Sequence, residues 1–319
     1  MSNLRLLILK DHNIPSQICR IMARPFLKWA GGKRQLLPKI EERLPNDIEN
    51  CNTYIEPFVG GGSVLFRMLE RFNFEDVHIL DINAELILCY QAIRDVPTNV
   101  SKSLKQLREG YPSDKEGQKE VYYRIRENWN LGVGKEIETA SDIGDRAATT
   151  IFLNKTCFNG LFRVNKSGLF NVPCNYTENP SFPTEKEILE VHESLKDVNV
   201  KVAEFEYCEN LADETSFIYF DPPYRPLTDS SGFVSYSKED FNDDDQRKLA
   251  DLYRRLNSKG SKMMLSNSDP RNSNPDDDFF DELYSGFTID RVMARRSINS
   301  VGEGRGEITE IIVTNYRSH

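Results

Sequence analysis

The feature that most constrains this chain is a short apolar strand that runs into a glycine-rich turn and then into a helical pattern. The strand begins at Thr53, residues 56–62 (EPFVGGG) form the turn, and residues 63–69 have helical periodicity. A second strand at 77–80 ends at Asp81 and is followed by another helical pattern. Because strands that alternate with helices form parallel sheets, the sequence predicts an α/β fold.

A long helical stretch interrupts this alternation. Residues 97–156 have helical periodicity without a strand signal, and polar residues at 116–119 and 136–142 predict two bends. Residues 157–176 contain four Asn, two Gly, one Arg and four aromatic side chains and have neither helical nor strand periodicity. This composition predicts a functional loop on a helical insert.

The strand pattern resumes after the insert. Apolar runs predict strands at 200–203, 216–220, 262–265 and 308–315, with a helix at 246–256. We therefore predict one discontinuous catalytic domain, 22–96 and 197–319, and one inserted helical domain, 97–196. Residues 1–21 match no periodic pattern and are predicted to form a flexible N-terminal extension, so Met1 and Met22 both stay open as the translation start.

Composition limits the partners and the compartment. The 319 residues include 41 Lys and Arg against 50 Asp and Glu, and the net charge of −9 means that any contact with nucleic acid must be local. Six cysteines without a C-x-x-C pair predict reduced thiols and no metal site. The apolar start at residues 4–9 is too short for a membrane span, which favours a cytoplasmic protein. Acidic runs at 243–245 and 276–278 predict the starts of helices.

The glycine turn and the acidic residue after the next strand predict a nucleoside cofactor. Asp81 lies at a strand end 21 residues after Gly60, where a carboxylate can accept hydrogen bonds from both ribose hydroxyls. The turn lacks the G-x-x-x-x-G-K-[ST] pattern of triphosphate-binding loops, and the acidic Glu56 favours a cationic or zwitterionic ligand. S-adenosylmethionine fits this description.

The tetrapeptide Asp221-Pro222-Pro223-Tyr224 directly follows the apolar strand at 216–220, at the sheet edge where open α/β sheets bind ligands. The two prolines stiffen the turn, so the Asp221 carboxylate and the Pro222 carbonyl can accept the two hydrogens of an exocyclic amine. Tyr224 can stack on the base that carries this amine. A base inside a duplex cannot reach such a pocket, so the arrangement predicts base flipping.

Three segments of the sequence together resemble one known family. Residues 26–33 (FLKWAGGK), 56–62 and 221–224, in this order, are similar to the Dam-like DNA adenine-N6 methyltransferases, and the similarity extends from about Arg24 to Tyr316. The resemblance implies a Rossmann-like, S-adenosylmethionine-dependent methyltransferase sheet with an inserted helical DNA-recognition domain. It also implies double-stranded DNA as the substrate.

A fourth segment resembles the part of the family that recognises the target site. Residues 157–165 (CFNGLFRVN) with 170–173 (FNVP) are similar to this segment, particularly in members that methylate GATC. By this resemblance Lys28 and Arg163 read guanines, and Phe158 fills the stack left by the flipped adenine, where a Tyr is equally expected. The DNA-binding residues so implied are Lys28, Phe158, Asn159, Leu161, Arg163 and Pro173.

The resemblance further implies which residues carry out the chemistry and bind the methyl donor. Asp221, Pro222 and Tyr224 are the catalytic residues expected. Glu204 and Phe205 stand where members often have Asp-Phe against the cofactor adenine, and the longer Glu departs from that pattern. The donor-binding residues implied are Trp29, Lys33, Glu56, Phe58, Gly60, Gly62, Asp81, Glu204, Phe205 and Asp221.

Each assignment has an alternative that needs no function. Trp29 could be an ordinary core aromatic, and Lys33 could belong to a solvated helix face. Arg163 could contact only phosphate, and Phe158, like Phe162, could be a core residue of the insert. Lys28 is a weaker reader of guanine than Arg163, because lysine has no bidentate fork.

Two basic segments predict a local DNA footprint in this acidic chain. Residues 24–43 contain six basic side chains and two glutamates, a net charge of 6 − 2 = +4. Residues 291–305 contain four arginines and one glutamate, a net of 4 − 1 = +3, together with glycines that predict a loop able to close on phosphates. Solvated basic faces are the alternative for this second segment.

We therefore predict a DNA adenine-N6 methyltransferase that acts on a flipped adenine at GATC sites as a monomer on DNA, with a cognate restriction endonuclease as a partner. Two other functions stay open. The D-P-P-Y turn addresses an amine more than a base, so the acceptor could be DNA cytosine, RNA or a protein glutamine. Alternatively, the chain could be a catalytically idle DNA-binding module that keeps the fold.

Overall fold

The structure is a computed structural model that describes residues 23–225, 241–295 and 307–317. The predicted N-terminal extension, which contains Cys19, lies outside these residues, and so does Met22. The five cysteines within them are free thiols: Cys51, Cys89, Cys157, Cys174 and Cys208.

A seven-stranded sheet organises the described residues. Its strands are β1 (Thr53–Glu56), β2 (Asp76–Asp81), β3 (Val198–Val202), β4 (Ser216–Phe220), β5 (Lys262–Ser268), β6 (Thr288–Arg295) and β7 (Glu307–Thr314). Their order is β3-β2-β1-β4-β5-β7-β6. The pairs among β1 to β5 are parallel, whereas β7 is antiparallel to both β5 and β6. This arrangement confirms the predicted Rossmann-like sheet.

Nine α-helices lie in the described residues. They are α1 (Leu37–Glu41), α2 (Ser63–Arg71), α3 (Ala84–Asp95), α4 (Pro97–Glu109), α5 (Lys115–Leu131), α6 (Ala140–Thr156), α7 (Glu185–Leu195), α8 (Asp243–Ser258) and α9 (Phe279–Leu283). Side chains at their N-caps explain several starts: Asn83 accepts hydrogen bonds from backbone N–H groups of α3, and Asn242 does the same for α8. The acidic run 243–245 is the first turn of α8, as predicted.

Alternate residues of the central strands face two different cores, as the two-residue period of a strand requires. Tyr54 of β1 and Phe217 of β4 join a hydrophobic cluster that also contains Trp129 and Phe152 of the helical insert. Ile55 and Ile218, one residue further along, join a second cluster built with α8. The sheet and the insert thus share one core, and the domain boundaries at 97 and 196 stay a prediction.

Several predicted elements differ from the structure. Residues 116–119 do not form a bend, because Asp114 caps α5 and places them in its first turn. The run 276–278 marks the start of α9, as predicted, with Asp278 at its N-cap, but Asp277 pairs with Arg225. Strand β3 begins at Val198, two residues before its predicted start, because Val198 pairs with Val77 of β2.

Helices α1 and α7 and strand β6 were not predicted from the sequence. Helix α7 begins with a capping box in which the Thr184 side chain accepts from the Glu187 N–H and Glu187 accepts from the Thr184 N–H. Strand β6 was missed because its charged residues were interpreted as part of a phosphate-binding loop. Arg291 of β6 instead pairs with Asp269 and Asp281 at 3.1 and 2.6 Å, so the loop prediction was wrong at this residue; Arg296 and Arg305 lie outside the described residues.

Candidate active site

The D-P-P-Y turn lies at the carboxyl end of β4 and contains a buried ion pair. Lys33 Nζ lies 2.7 Å from Asp221 Oδ1, and the Lys33 side chain is only 5% exposed. The same ammonium donates to the Gly31 carbonyl at 2.6 Å and lies 4.3 Å from the ring centroid of Tyr224. Burial raises the pKa of Asp221, and the charge of Lys33 opposes this shift. A positive nitrogen is therefore held between the carboxylate and the aromatic ring.

Side chains from β5 and β7 hold the two ends of this turn. Ser266 donates to Asp221 Oδ1 at 3.3 Å, and the Ser266 hydroxyl is itself 2.8 Å from the hydroxyl of Tyr219 in β4. The Tyr224 hydroxyl donates to Glu310 Oε2 at 2.6 Å. The orientation of both Asp221 and Tyr224 is thus set by neighbouring strands.

Arg225 fixes the residue that follows the turn. Its guanidinium contacts Asp243 at 2.8 and 3.1 Å and Asp277 at 2.8 Å, and it lies 4.3 Å from the ring centroid of Phe279. The Ser268 hydroxyl donates to the Arg225 carbonyl at 3.0 Å. A planar cation bound on two sides by carboxylates holds the chain more rigidly than a single surface pair.

The glycine turn and the end of β2 form the second half of the site. Asp81 accepts hydrogen bonds from the backbone N–H groups of Gly60 at 3.2 Å and Asn83 at 2.9 Å. Burial raises the pKa of Asp81, and these hydrogen bonds oppose the shift. Gly62 has φ of +74°, and a Cβ there would lie 2.5 Å from the Tyr90 hydroxyl, so a larger residue cannot be accommodated without rearrangement.

Glu56 is the most deeply buried carboxyl group of the site. It is 2% exposed and accepts a hydrogen bond from the Tyr54 hydroxyl at 2.6 Å. Burial raises the pKa of Glu56 well above its usual range, while the bond from Tyr54 acts in the opposite direction. The charge of Asp221 also raises the pKa of Glu56, and the charge of Lys33 lowers it. The glycine turn and the D-P-P-Y turn therefore share one electrostatic environment.

Aromatic and aliphatic side chains border these polar groups. Phe58 stacks on Phe205 with ring centroids 5.5 Å apart, whereas Glu204 is exposed. Beyond Asp81, the side chains of Ile82 and Val202 are 47% and 46% exposed at the ends of β2 and β3. The sequence analysis missed this pair, although an apolar residue directly after Asp81 was a usable signal. Both lie beside Asp81: Ile82 follows it in the chain, and Val202 is its partner in the pairing of β2 with β3.

The predicted recognition segment lies beside the first motif. The buried Asn154 side chain accepts from the Lys28 N–H at 2.8 Å and donates to the Lys28 carbonyl at 2.8 Å and to the Gly160 carbonyl at 2.9 Å. Gly160 has φ of +65°, and a Cβ there would overlap the aliphatic part of the Lys28 side chain. Asn154, which the sequence analysis missed, therefore joins the two segments.

Within the segment, backbone contacts hold side chains that remain accessible. Phe158 is 49% exposed, so it is not a core residue, and its N–H donates to the Pro173 carbonyl at 2.9 Å. Asn159 is also exposed and has φ of +58°. Arg163 Nε donates to Asn171 Oδ1 at 2.8 Å, which orients its guanidinium.

Two aromatic residues connect the recognition segment to the glycine turn. Phe162 stacks on Trp29 with centroids 5.5 Å apart, while a Cβ at Gly60 would lie 3.0 Å from Trp29 Cδ1. Phe162 and the half-buried Leu161 also pack against the core of the insert. Trp29 thus lies between the two regions rather than only in the core.

The first basic segment is partly neutralised within the fold. Of its six basic side chains, Lys33 pairs with Asp221, Lys39 with Glu42 at 3.0 Å, and Arg43 with Asp290 at 2.8 Å. Arg24, Lys28 and Arg34 are exposed. The DNA footprint predicted from the net charge stays a prediction, and these three exposed residues are its candidates. None of the helices in the described ranges is long and apolar enough to cross a membrane.

Sequence comparison relates this chain to known proteins. Residues 29–298 match the sequence model of the D12 class N6 adenine-specific DNA methyltransferases. The chain is 46% identical over 297 residues to the Type II methyltransferase M.MjaIII of Methanocaldococcus jannaschii, covering 92% of this chain and 99% of that protein. It is 39% identical to the Type II methyltransferase M1.LlaDCHI of Lactococcus lactis subsp. cremoris, over 93% and 97% of the two chains. It is 33% identical to a DNA adenine methylase of Vibrio cholerae, over 91% and 95%.

The Rossmann-like sheet and the D-P-P-Y turn at its edge define an amine-directed methyltransferase. The extent of the matches makes the assignment narrower: the chain belongs to the D12 class of N6 adenine-specific DNA methyltransferases.

Proposed function

We propose that this protein transfers a methyl group from S-adenosylmethionine to N6 of a flipped adenine in double-stranded DNA, at GATC sites. The observation that carries the proposal is the position of the Lys33 ammonium, 2.7 Å from Asp221 Oδ1 and 4.3 Å from the centre of the Tyr224 ring. The turn thus binds a nitrogen between a carboxylate and an aromatic face, which is the environment that a target amine requires.

The donor half of the site fits S-adenosylmethionine in charge and shape. Asp81, held by two backbone N–H groups, is suited to accept the ribose hydroxyls, and the exposed apolar side chains of Ile82 and Val202 are suited to the adenine ring. Phe58 and Phe205 border the same edge. The remaining donor contacts proposed are those of Trp29, Lys33, Glu56, Gly60, Gly62, Glu204 and Asp221.

The chain's own residues then prepare the amine. S-adenosylmethionine supplies an activated methyl group, so the protein has to orient the acceptor and stabilise charge. The two N–H groups of the amine donate hydrogen bonds to the Asp221 carboxylate and to the Pro222 carbonyl. This turns the nitrogen lone pair towards the methyl carbon. With the donor bound, the new N–C bond would form as the C–S bond breaks, which leaves S-adenosylhomocysteine, and the nitrogen would release one proton along its hydrogen bond to Asp221. Tyr224 stacks on the flipped base.

Recognition of GATC is assigned to the segment that Asn154 joins to Lys28. An arginine fork in the major groove pairs with guanine O6 and N7, and the bond from Arg163 to Asn171 holds such a fork in one orientation. Lys28 is the second proposed guanine reader. Phe158, half exposed beside Pro173, is suited to fill the space that a flipped base leaves, and Asn159 and Leu161 complete the proposed contact surface.

The test is transfer of a labelled methyl group to defined duplexes. A GATC duplex, duplexes with one substituted base, an RNA duplex and a protein mixture are each incubated with the enzyme, and the modified nucleoside is identified after nuclease digestion. We expect N6-methyladenine in the GATC duplex only. Methylcytosine, labelled RNA or labelled protein would assign a different acceptor, and absence of transfer together with absence of donor binding would favour the idle DNA-binding module.

The biological role proposed is protection of host DNA from a cognate restriction endonuclease. It is supported by the two relatives named Type II methyltransferases, which match over nearly their whole lengths. We propose that the enzyme acts as a monomer on DNA. Sedimentation of the protein with a single-site duplex tests the stoichiometry, and digestion of host DNA with a GATC-specific nuclease tests the protection.

A further inference from the structure

Glu310 is a carboxylate that the sequence motifs did not single out, and the structure places it against the D-P-P-Y turn. It lies on β7, opposite Ser268 of β5 and Val292 of β6, so the sheet fixes its backbone on both sides. Its Oε2 atom accepts a hydrogen bond from the Tyr224 hydroxyl at 2.6 Å, across 86 positions of sequence. This contact belongs to the strand framework rather than to a neighbouring loop.

We propose that Glu310 is a positioning residue for methyl transfer, whose carboxylate fixes and polarises the Tyr224 ring against which the target amine lies. The inference rests on the function proposed above and deepens it. Glu310 acts through Tyr224 and does not itself touch the adenine or the methyl donor.

The physical basis is the strength of a hydrogen bond to a charged acceptor. Such a bond is stronger than one between neutral groups, so it restricts the ring more tightly than a bond to water. It also shifts electron density from the phenol hydroxyl into the ring, which makes the ring face more negative. A more negative face attracts a cation more strongly, and the Lys33 ammonium already lies 4.3 Å from the ring centroid.

This effect matters more in the transition state than in the ground state. Adenine N6 is neutral when it binds, but positive charge passes from the donor sulfur to the nitrogen as the N–C bond forms and the C–S bond breaks. An interaction that strengthens with this charge raises kcat, whereas one that is equal in both states changes only KM. Glu310 also contributes to the raised pKa of Asp221, after the larger effect of burial, so both carboxylates act on the same small region.

The experiment is a double-mutant cycle on the GATC duplex with Glu310→Ala, Tyr224→Phe and the combined variant. We expect each single variant to lower kcat about 10-fold while KM for DNA and donor changes less than about 3-fold. The combined variant should be no slower than the worse single variant, because each substitution removes the same contact. Unchanged kcat in Glu310→Ala, or fully additive losses in the combined variant, would overturn the proposal.

Three controls separate positioning from a general loss of structure. Glu310→Gln keeps an acceptor without the charge and should give an intermediate kcat. Asp290→Ala, on the neighbouring strand β6, breaks the ion pair with Arg43 and should leave kcat unchanged. A melting temperature lowered by Glu310→Ala, with an equal loss of kcat in the Tyr224→Phe background, would make Glu310 a structural residue and contradict the inference.

The outcome for the wild-type enzyme distinguishes this inference from the function on which it rests. A wild type that methylates no duplex contradicts the proposed function and, with it, the role of Glu310. A wild type that methylates adenine but is insensitive to Glu310→Ala contradicts the role of Glu310 alone.

Discussion

The D-P-P-Y turn and the recognition segment at residues 157–173 use their polar groups in opposite ways. At the turn, side chains bind one another: Lys33 pairs with Asp221, and the hydroxyl of Tyr224 donates to Glu310. In the recognition segment the backbone is held by Asn154 and by residue 173, while Phe158 projects half exposed. At the turn, polar side chains therefore bind one another. In the recognition segment the backbone is held, and side chains such as Phe158 stay accessible.

This difference follows from what each region has to contact. Chemistry at one nitrogen requires groups held within a fraction of an ångström, which buried and mutually bonded side chains provide. Recognition of a base sequence requires side chains that are oriented but still free to bind an external surface. Substitutions at the turn should therefore change the rate of transfer, and substitutions in the segment should change the choice of site.

The largest effect that this comparison predicts is for Asp221→Ala. We expect methylation to fall by about 1,000-fold or more, because the acceptor that orients the amine is lost, while affinity for DNA stays close to wild type, since phosphate contacts supply most of it. Methyl transfer and duplex binding are measured separately. Near-normal turnover would contradict the mechanism.

The same variant leaves Lys33 as an unpaired buried cation, so its stability has to be measured as well. Breaking one side of a buried ion pair typically costs about 3–5 kcal/mol. Asp221→Ala with Lys33→Ala removes both charges, and we expect it to regain part of the lost melting temperature but none of the activity. Recovery of activity with stability would assign Asp221 a purely structural role.

The next largest effect is expected for Asp81→Ala. Its carboxylate is held by the N–H groups of Gly60 and Asn83, and hydrogen bonds from a ligand to such a charged group contribute about 1.5–3 kcal/mol, so we expect donor affinity to fall roughly 30-fold. Calorimetry with S-adenosylmethionine measures this directly. Unchanged affinity would show that Asp81 only caps the end of β2 and orders the glycine turn.

Much of the catalytic half could be predicted from the sequence because its motifs are local. The run at 216–220 is mostly apolar since β4 is buried along its whole length, so the position of Asp221 at its end followed from the pattern. Asp81 was found in the same way at the end of β2. Glu310 and Ser266 could not be found, because their contacts with the turn depend on the pairing of β7 with β5, which no local pattern encodes.

The insert was predicted less completely, for a related reason. Its helices could be predicted from their periodicity. In the sequence, however, Asn154 is only one polar residue near the end of α6, and its role is visible only in the hydrogen bonds that it forms with residues 28 and 160. Strand β6 was missed because its charges are neutralised by residues far away in the sequence, such as Asp269 and Arg43. The stretch that looks basic in the sequence is therefore an edge strand whose charged side chains form ion pairs with distant residues.

A smaller effect, on selectivity rather than rate, is expected for Arg163→Ala. One bidentate contact to guanine contributes about 1–3 kcal/mol, so activity on GATC should fall about 10-fold relative to duplexes with a substituted guanine. Activity is compared on both kinds of duplex at several salt concentrations. Lys166→Ala, an exposed cation of the same segment, is the matched control and should weaken all duplexes equally. The same uniform loss in Arg163→Ala would make Arg163 a phosphate contact and leave Lys28 as the candidate reader.

The smallest effect concerns Ser266→Ala, which tests how far the internal bonding of the turn extends. Burial raises the pKa of Asp221, and the hydrogen bond from Ser266 is among the contacts that lower it, so its loss should raise that pKa further. Asp221 accepts a hydrogen bond from the amine only when its carboxyl group is ionised, so activity falls as the pH drops through the pKa of Asp221. In Ser266→Ala the acidic limb of the kcat profile should therefore move to higher pH. At neutral pH we expect only about a 3-fold loss, less than the about 1.5–3 kcal/mol that a hydrogen bond to a charged group can contribute, because this bond is long at 3.3 Å and Lys33 still pairs with Asp221. Arg163→Ala is the control, since the recognition segment should leave the pH profile unchanged, and an equal shift in both variants would show that the two regions are not separate.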